Sequence, residues 1–318
     1  MTPGVCGVRI IKGGHVDAGK VDISAPGSLE RTYDLVGERS MQAQHYIVRS
    51  ELATYSSKGL LKSTDVYRER LTVHPGNRSD GEADRFTCTA FTLQRGDAPE
   101  VAIPSLEGFS YEVNKDLLDA NGVDAQGQLY SVPEDTFDDL VDASGTELPF
   151  EVRYQVYSAF YYFHTFTDYA EPPAAGHGIQ DLERIGDRVI LERSHSEAPI
   201  PGKLAKDTSF WKNGEITLAF EGLSTVDGSG CAVLGFDSGV CHWSLPMTYM
   251  PRMRLKTVGV SNYQGTIHLD LESKWARSLD LTLFEITSTT MWGIPVDKSI
   301  PRTTLAIRAV DEPGSGPA

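Results

Sequence analysis

Residues 265–272, Gly-Thr-Ile-His-Leu-Asp-Leu-Glu, decide the fold class. Ile267, Leu269 and Leu271 take every second position, and His268, Asp270 and Glu272 fill the gaps. Successive side chains of a β-strand point to opposite faces, so this run is a strand with one dry face and one wet face. Such strands belong to antiparallel sheets, because a parallel sheet is covered on both sides.

The same period spreads outward from that run. Leu279, Leu281 and Leu283 repeat it, as do Leu305, Ile307 and Ala309 near the end, and Ile216, Leu218 and Phe220 upstream. Residues 85–93 (RFTCTAFTL) alternate Phe86, Cys88 and Ala90 against Thr87, Thr89 and Phe91. Residues 44–55 and 60–73 are two long strand-like runs joined by Ser56-Ser57-Lys58-Gly59, which is turn chemistry. The hairpin-like units 44–73 and 263–290 have similar lengths and charged turns, which raises a duplicated meander as one reading. The expectation is a mainly β protein built from a large antiparallel meander, barrel-like in the lipocalin-like or half-barrel sense. An irregular lead-in (1–40) precedes a β-rich region (41–310), and the tail 311–318 has nothing to bury. Within 41–310, two similar halves, 41–113 and 179–310, flank a helical segment, 114–170.

That segment carries one exceptional helix. Residues 148–169 (LPFEVRYQVYSAFYYFHTFTDY) are aromatic throughout; Pro149 suits the first turn, and Pro172-Pro173 stops the helix near residue 170. Val152, Val156, Ala159, Phe160 and Phe163 form one apolar stripe, and Tyr154, Tyr157 and Tyr161 a second. A helix apolar nearly all round is buried or lines something. Residues 116–127 and 133–140 read as short helices or turns.

Composition removes several function classes. The formal charge is -15, from 44 acidic and 29 basic residues, so phosphate backbones and anionic lipids are repelled. Arg252, Arg254 and Lys256 at a spacing of two read as a solvated strand face, and no nucleic acid is expected as partner. No run of about 18 apolar residues exists for a membrane span, and the N-terminus lacks the pattern of a signal peptide, so the expected location is cytoplasmic. Cys231 and Cys241 are placed to face each other across a hairpin turning at Asp237-Ser238-Gly239, in which case one bridge is available. There is no CxxC pair, dinucleotide fingerprint, Walker loop, HExxH or GxSxG, so no cofactor and no metal are expected.

Chemistry is sought on the aromatic helix. Tyr157, Tyr161, His164 and Asp168 lie at steps of four, three and four and share one face. A carboxylate one turn from an imidazole can orient it and raise its basicity, so His164 is the candidate acid/base, Asp168 its orienter and Tyr161 an oxygen-directed donor. Tyr157, Phe160 and Phe163 are the candidate ligand-binding residues. The plainer alternative packs Tyr157 and Tyr161 on the sheet and leaves His164 and Asp168 as a surface ion pair. His177 between two glycines reads as a connector or a mobile group at a pocket mouth, His195 as a loop residue, and Asp237 as a turn residue. His268 and Asp270 would point into a lumen only if the sheet closed with its polar face inside. The functional expectation is an apolar small-molecule ligand or substrate held in a cavity, with cofactor-independent cyclisation, isomerisation or hydration/dehydration. The rival readings are a non-catalytic carrier and an interaction protein with a filled core. The sequence leaves the oligomeric state open.

Overall fold

The structure, a computed structural model, describes residues 30–173, 176–200, 208–249 and 253–311. The strand expected at 8–11, Arg252 and the tail beyond Asp311 lie outside the described residues.

The alternating runs form strands where the period predicts them: β1 (Gln44–Ser56), β2 (Leu61–His74) and β3 (Asp84–Arg95), then the short β4 (Val101–Ala102) and β5 (Ser110–Val113). After the helix α1 (Phe150–Thr167) come three short strands, β6 (Arg188–Ile190), β7 (Glu197–Ala198) and β8 (Phe210–Lys212). Six longer ones complete the chain: β9 (Thr217–Val226), β10 (Ser229–Asp237), β11 (Cys241–Tyr249), β12 (Met253–Asp270), β13 (Ala276–Met291) and β14 (Ile294–Val310). All fourteen join one sheet whose main path runs β4-β3-β2-β1-β14-β13-β12-β10-β9-β6, and every pairing is antiparallel. The path ends at β4 and β6 without joining them, so the sheet is an open half-barrel and not a closed one.

The dry face of the sheet wraps α1. Phe163 meets Tyr46 of β1 and Phe86 of β3, with ring centroids 5.2 and 6.2 Å apart. One turn on, Phe166 meets Phe236 of β10 and Tyr263 of β12 at 6.0 and 5.3 Å. Five strands separate β3 from β10, so a flat sheet would hold them roughly 29 Å apart at about 4.8 Å per spacing. Two residues about 4.5 Å apart along a helix axis touch both sides only because the sheet curls around them. Val152, Val156, Phe160 and Phe163 are all buried, so the apolar stripe is the seam between helix and sheet.

Three expectations change. Cys231 and Cys241 do not face each other across a hairpin: β10 pairs with β9 and β12, β11 pairs with β12 and β8, and both thiols are free and buried. The segment at Asp237 is no hairpin turn but a short interruption between two strands that pair end to end with one edge of β12; there Ser238 N–H donates to the Tyr263 carbonyl and the Asp237 carboxylate accepts from Gly239 N–H. His268 lies on the outer face beside Ser278 (2.9 Å), and Asp270 caps the β12–β13 turn by accepting from Glu272 and Ser273 N–H, so neither addresses a lumen.

One acid breaks the pattern of the dry face. Glu69 stands on β2 opposite Val48 and Phe91, buried, with no hydrogen-bond partner for either oxygen among the described residues. Burial lifts its pKa from 4.5 to about 8. The folded chain therefore keeps a proton that the unfolded chain has released, and stability falls as pH rises between those values. Denaturant unfolding at pH 5 and pH 8 should show that loss, at up to about 1.4 kcal/mol per pH unit, and Glu69→Gln should flatten it.

Candidate functional site

Helix α1 runs on into a single tight turn, Asp168–Ala170, and stops before Pro172, whose missing N–H cannot continue it. The chain on either side converges on this end. Lys115 and Tyr130 come from the segment between β5 and α1, Asp168 and Glu171 from the helix end, and Leu191 and Arg193 from the stretch after β6. Together they line a cavity of about 230 Å³.

The approach of Tyr130 is made possible locally. Tyr130 and Ser131 both take left-handed backbone conformations, at φ 50° and 52°, which non-glycine residues seldom adopt. The Tyr130 ring presses on Gly122, where a Cβ would fall 2.5 Å from its Cζ, so only glycine leaves the ring room. Gly122 belongs to the first of three similar turns, Asp119-Ala-Asn-Gly, Asp124-Ala-Gln-Gly and Asp142-Ala-Ser-Gly. In each, the Asp carboxylate accepts N–H bonds from the residues two and four ahead. Each glycine has positive φ, the conformation that closes such a turn.

A network of charges holds the cavity wall. Lys115 Nζ lies 2.6 Å from Asp168 and 2.9 Å from Glu171. Glu171 also pairs with Arg78 and, at 3.9 Å, with Arg39, which grips Asp84 through both guanidinium arms at 2.6 and 2.8 Å. Burial alone would raise the Glu171 pKa, but Lys115, Arg78 and Arg39 together hold it far below the usual carboxylate range. Arg193 is less well served. Its guanidinium stacks over Tyr169 at 4.1 Å, donates one long bond to the Thr165 carbonyl at 3.3 Å, and stands 3.8 Å from Asp168. The buried Tyr130 hydroxyl has no hydrogen-bond partner among the described residues.

The structure separates the residues that helical spacing placed together. His164 does not meet Asp168: its Nε2 shares a 2.7 Å hydrogen bond with the Tyr111 hydroxyl, while Asp168 turns to Lys115. The His164 ring is sandwiched by Tyr130, stacked at 5.2 Å, and by Phe86, edge-on at 4.5 Å. Burial, aided by the positive charge of Lys115, lowers its pKa to about 3, so it is neutral at physiological pH. Tyr157, Phe160 and Phe163 are buried in the aromatic core, Phe160 stacking on Phe91 at 5.7 Å. Tyr161 stands on another face, half-buried beside Tyr162 and away from the cavity. Among the histidines, exposed His177 does stand at the mouth of the cavity, 3.1 Å from Asp181. Lys115, Tyr130, Glu171 and Arg193 escaped the reading by motif, because no spacing links them; only the Asp-Ala-x-Gly turns signalled that this segment has a built shape.

A wider trough of about 750 Å³ crosses the outer face of the sheet. It is shallow, and two of its charges are already used: Arg49 pairs with Glu51 and Asp280 with Arg308. The smaller cavity, lined by the Arg193 guanidinium and the unpartnered Tyr130 hydroxyl, is the better-built site. Among the described residues no group of acids, histidines and cysteines converges as a metal site, and no helix is long and apolar enough to cross a membrane.

No protein-family model matches the chain, and no curated protein matches it. Among solved structures it is similar to one of lipovitellin, described as lipid-protein interactions in lipovitellin. The identity is 8%, the match covers 88% of this chain and 27% of that one, and the TM-score is 0.35. The chain thus spans about a quarter of that protein's length, and a likeness of this size says nothing firm about fold or ligand.

Three outcomes follow from this geometry. The His164 imidazole signals in NMR should keep their neutral positions from pH 8 to pH 5, and Tyr111→Phe, which strips a buried nitrogen of its partner, should destabilise the fold by about 1–3 kcal/mol. Glu171 contributes stability above the ordinary carboxylate pKa and loses it as pH falls towards its depressed value. Glu171→Gln should therefore cost about 3–5 kcal/mol in denaturant unfolding at pH 7, and less in acid.

Proposed function

We propose that the protein binds a small amphipathic molecule in the cavity at the end of α1, its anionic or acceptor head on Arg193 and its apolar body against Leu118, Ile179 and Leu191. The observation that carries this reading is Arg193 itself. A guanidinium offers five N–H donors, and this one, 9% exposed, has a single long hydrogen bond and a distant counter-ion among the described residues. Its surroundings, Tyr169, Tyr130 and Asp168, favour the charged guanidinium, which therefore stands ready with further donors for a ligand in the cavity that it lines. The neighbouring Tyr130 hydroxyl supplies a second unused polar group; the rest of the wall combines the aliphatic Leu118, Ala120, Ile179 and Leu191 with Asp168 and Glu171, which Lys115 neutralises, and with Asp119 and Glu192. At about 230 Å³ the cavity falls below the roughly 300–1,000 Å³ of sites for drug-sized ligands, so the occupant is a short molecule.

The proposal is binding and not turnover. Cyclisation, isomerisation or hydration/dehydration by His164, Asp168 and Tyr161 needs a proton-transfer group in contact with the substrate. His164 is neutral, tied to Tyr111 and walled off by Tyr130; Asp168 reaches the cavity, but as the partner of Lys115; Tyr161 is elsewhere.

Calorimetric titration with hexanoate tests the reading, with native mass spectrometry of gently purified protein alongside to capture a resident ligand. The expected result is saturable, one-to-one binding that Arg193→Gln weakens at least tenfold. Ala120→Phe, which fills the cavity and keeps every charge, should abolish it. Binding that survives both substitutions, or no binding and no adduct in the parent protein, would sink the proposal.

A further inference from the structure

A second constellation lies between α1 and the far half of the sheet, and the cavity described above does not include it. On the dry face, Trp243 of β11 stands opposite Gly259 of β12, and Ser261 of β12 stands opposite Glu285 of β13. The indole lies flat on Gly259, where a Cβ would fall 2.4 Å from its Cε2, so the missing side chain makes the seat for the ring. The indole N–H is directed at the Glu285 carboxyl without closing a hydrogen bond, and the Ser261 hydroxyl is also unpartnered among the described residues. From the helix, the Tyr161 and Tyr162 phenols lie near enough to Glu285 to feel its charge, and their rings stand 4.8 Å apart at 75°, forming a corner.

Glu285, Trp243, Tyr161 and Tyr162 are each half-buried, whereas Leu283 and Thr287 on either side of Glu285 along β13 are buried. Among the described residues no cation pairs with the Glu285 carboxyl. That separates it from Glu171, which has three cations, and from Glu69, which is equally alone but sealed from water.

We propose that Glu285, Trp243, Tyr161 and Tyr162 form a binding site for a small organic ammonium ion. An aromatic face carries negative charge and attracts cations, so three rings and one carboxylate share a preference that no anion or neutral molecule satisfies as well. A metal ion is a poor occupant, because calcium or magnesium needs about six oxygen ligands and this site offers one carboxylate. An alkylammonium is large, weakly hydrated and content with ring faces, and its charge supplies the counter-ion that the carboxyl lacks. Burial raises the Glu285 pKa to about 7, with Trp243 opposing. The other groups facing it are the Tyr161 and Tyr162 phenols, whose pKa values burial raises, and the Ser261 hydroxyl; all are neutral in this range. Only the ionised carboxyl holds the cation, so affinity should rise about tenfold between pH 6 and pH 8.

The test is a titration of the full chain with tetramethylammonium chloride at constant ionic strength, followed by tryptophan fluorescence and calorimetry, with tert-butanol as the neutral analogue of similar shape. Saturable binding of tetramethylammonium alone is expected, about tenfold tighter at pH 8 than at pH 6. Glu285→Gln and Trp243→Leu should each weaken it at least tenfold while hexanoate binding is kept. If tetramethylammonium does not saturate the parent protein, if Glu285→Gln binds it equally well, or if tert-butanol binds as tightly, the site is not an ammonium site. The pH series on the unaltered protein decides the matter even if a variant fails to fold.

Discussion

The packing of two neighbouring phenylalanines of α1, Phe163 and Phe166, against rings on distant strands is the contact on which the rest of the structure depends. Strands far apart in the sheet can meet adjacent turns of a helix only if the sheet is curved, and the curvature persists because the rings fill the space inside it. An open sheet of this size with one dry face must cover that face with something. Here the cover is a single helix that is aromatic nearly all round, and so one helix can touch strands on both sides of the curl.

A core filled by rings leaves little tolerance for charge, and the molecule treats its buried acids in three ways. Glu171 is ionised and surrounded by Lys115, Arg78 and Arg39, and this cluster joins the lead-in, β3, the β5–α1 segment and the helix end. Glu69 has no partner, and burial favours its protonated form. Glu285 has no cation either among the described residues, and its residue is half-buried. Pairing, protonation and access to solvent are the alternatives open to a carboxyl inside a low-dielectric interior. Among the buried polar atoms that lack a partner within the described residues, the Tyr130 hydroxyl beside Arg193 and the Trp243 indole N–H beside Glu285 are the ones that the two proposed ligands would meet.

The His164 environment shows why helical spacing was a poor guide to chemistry. Residues 164 and 168 do share a helix face, but α1 ends at that level and Asp168 turns towards Lys115, 53 positions earlier in the chain. The imidazole takes its partner from Tyr111, also 53 positions earlier, on β5. Each contact joins residues that no local pattern relates. The Cys231–Cys241 expectation failed for the same reason: β10 and β11 adjoin in sequence, yet they do not pair with each other but run end to end along one edge of β12, whose other edge is taken by β13.

By itself the sequence determined what depends on neighbours along the chain. Alternation at a period of two placed β1–β3, β9, β12, β13 and β14, and the aromatic run between Pro149 and Pro172 placed α1, because each strand or helix must turn its own apolar residues to one side. Glycine at 122, 127 and 145 likewise specified turns from local geometry. Only the tertiary structure decided that the sheet stays open, that His164 is sealed and Tyr161 is not, that Arg193 lines a cavity, and that Glu285 has no cation beside it among the described residues. Those outcomes depend on which residues, tens to hundreds of positions apart, are brought within a few ångströms, and a charge or a hydrogen bond is felt only at that range.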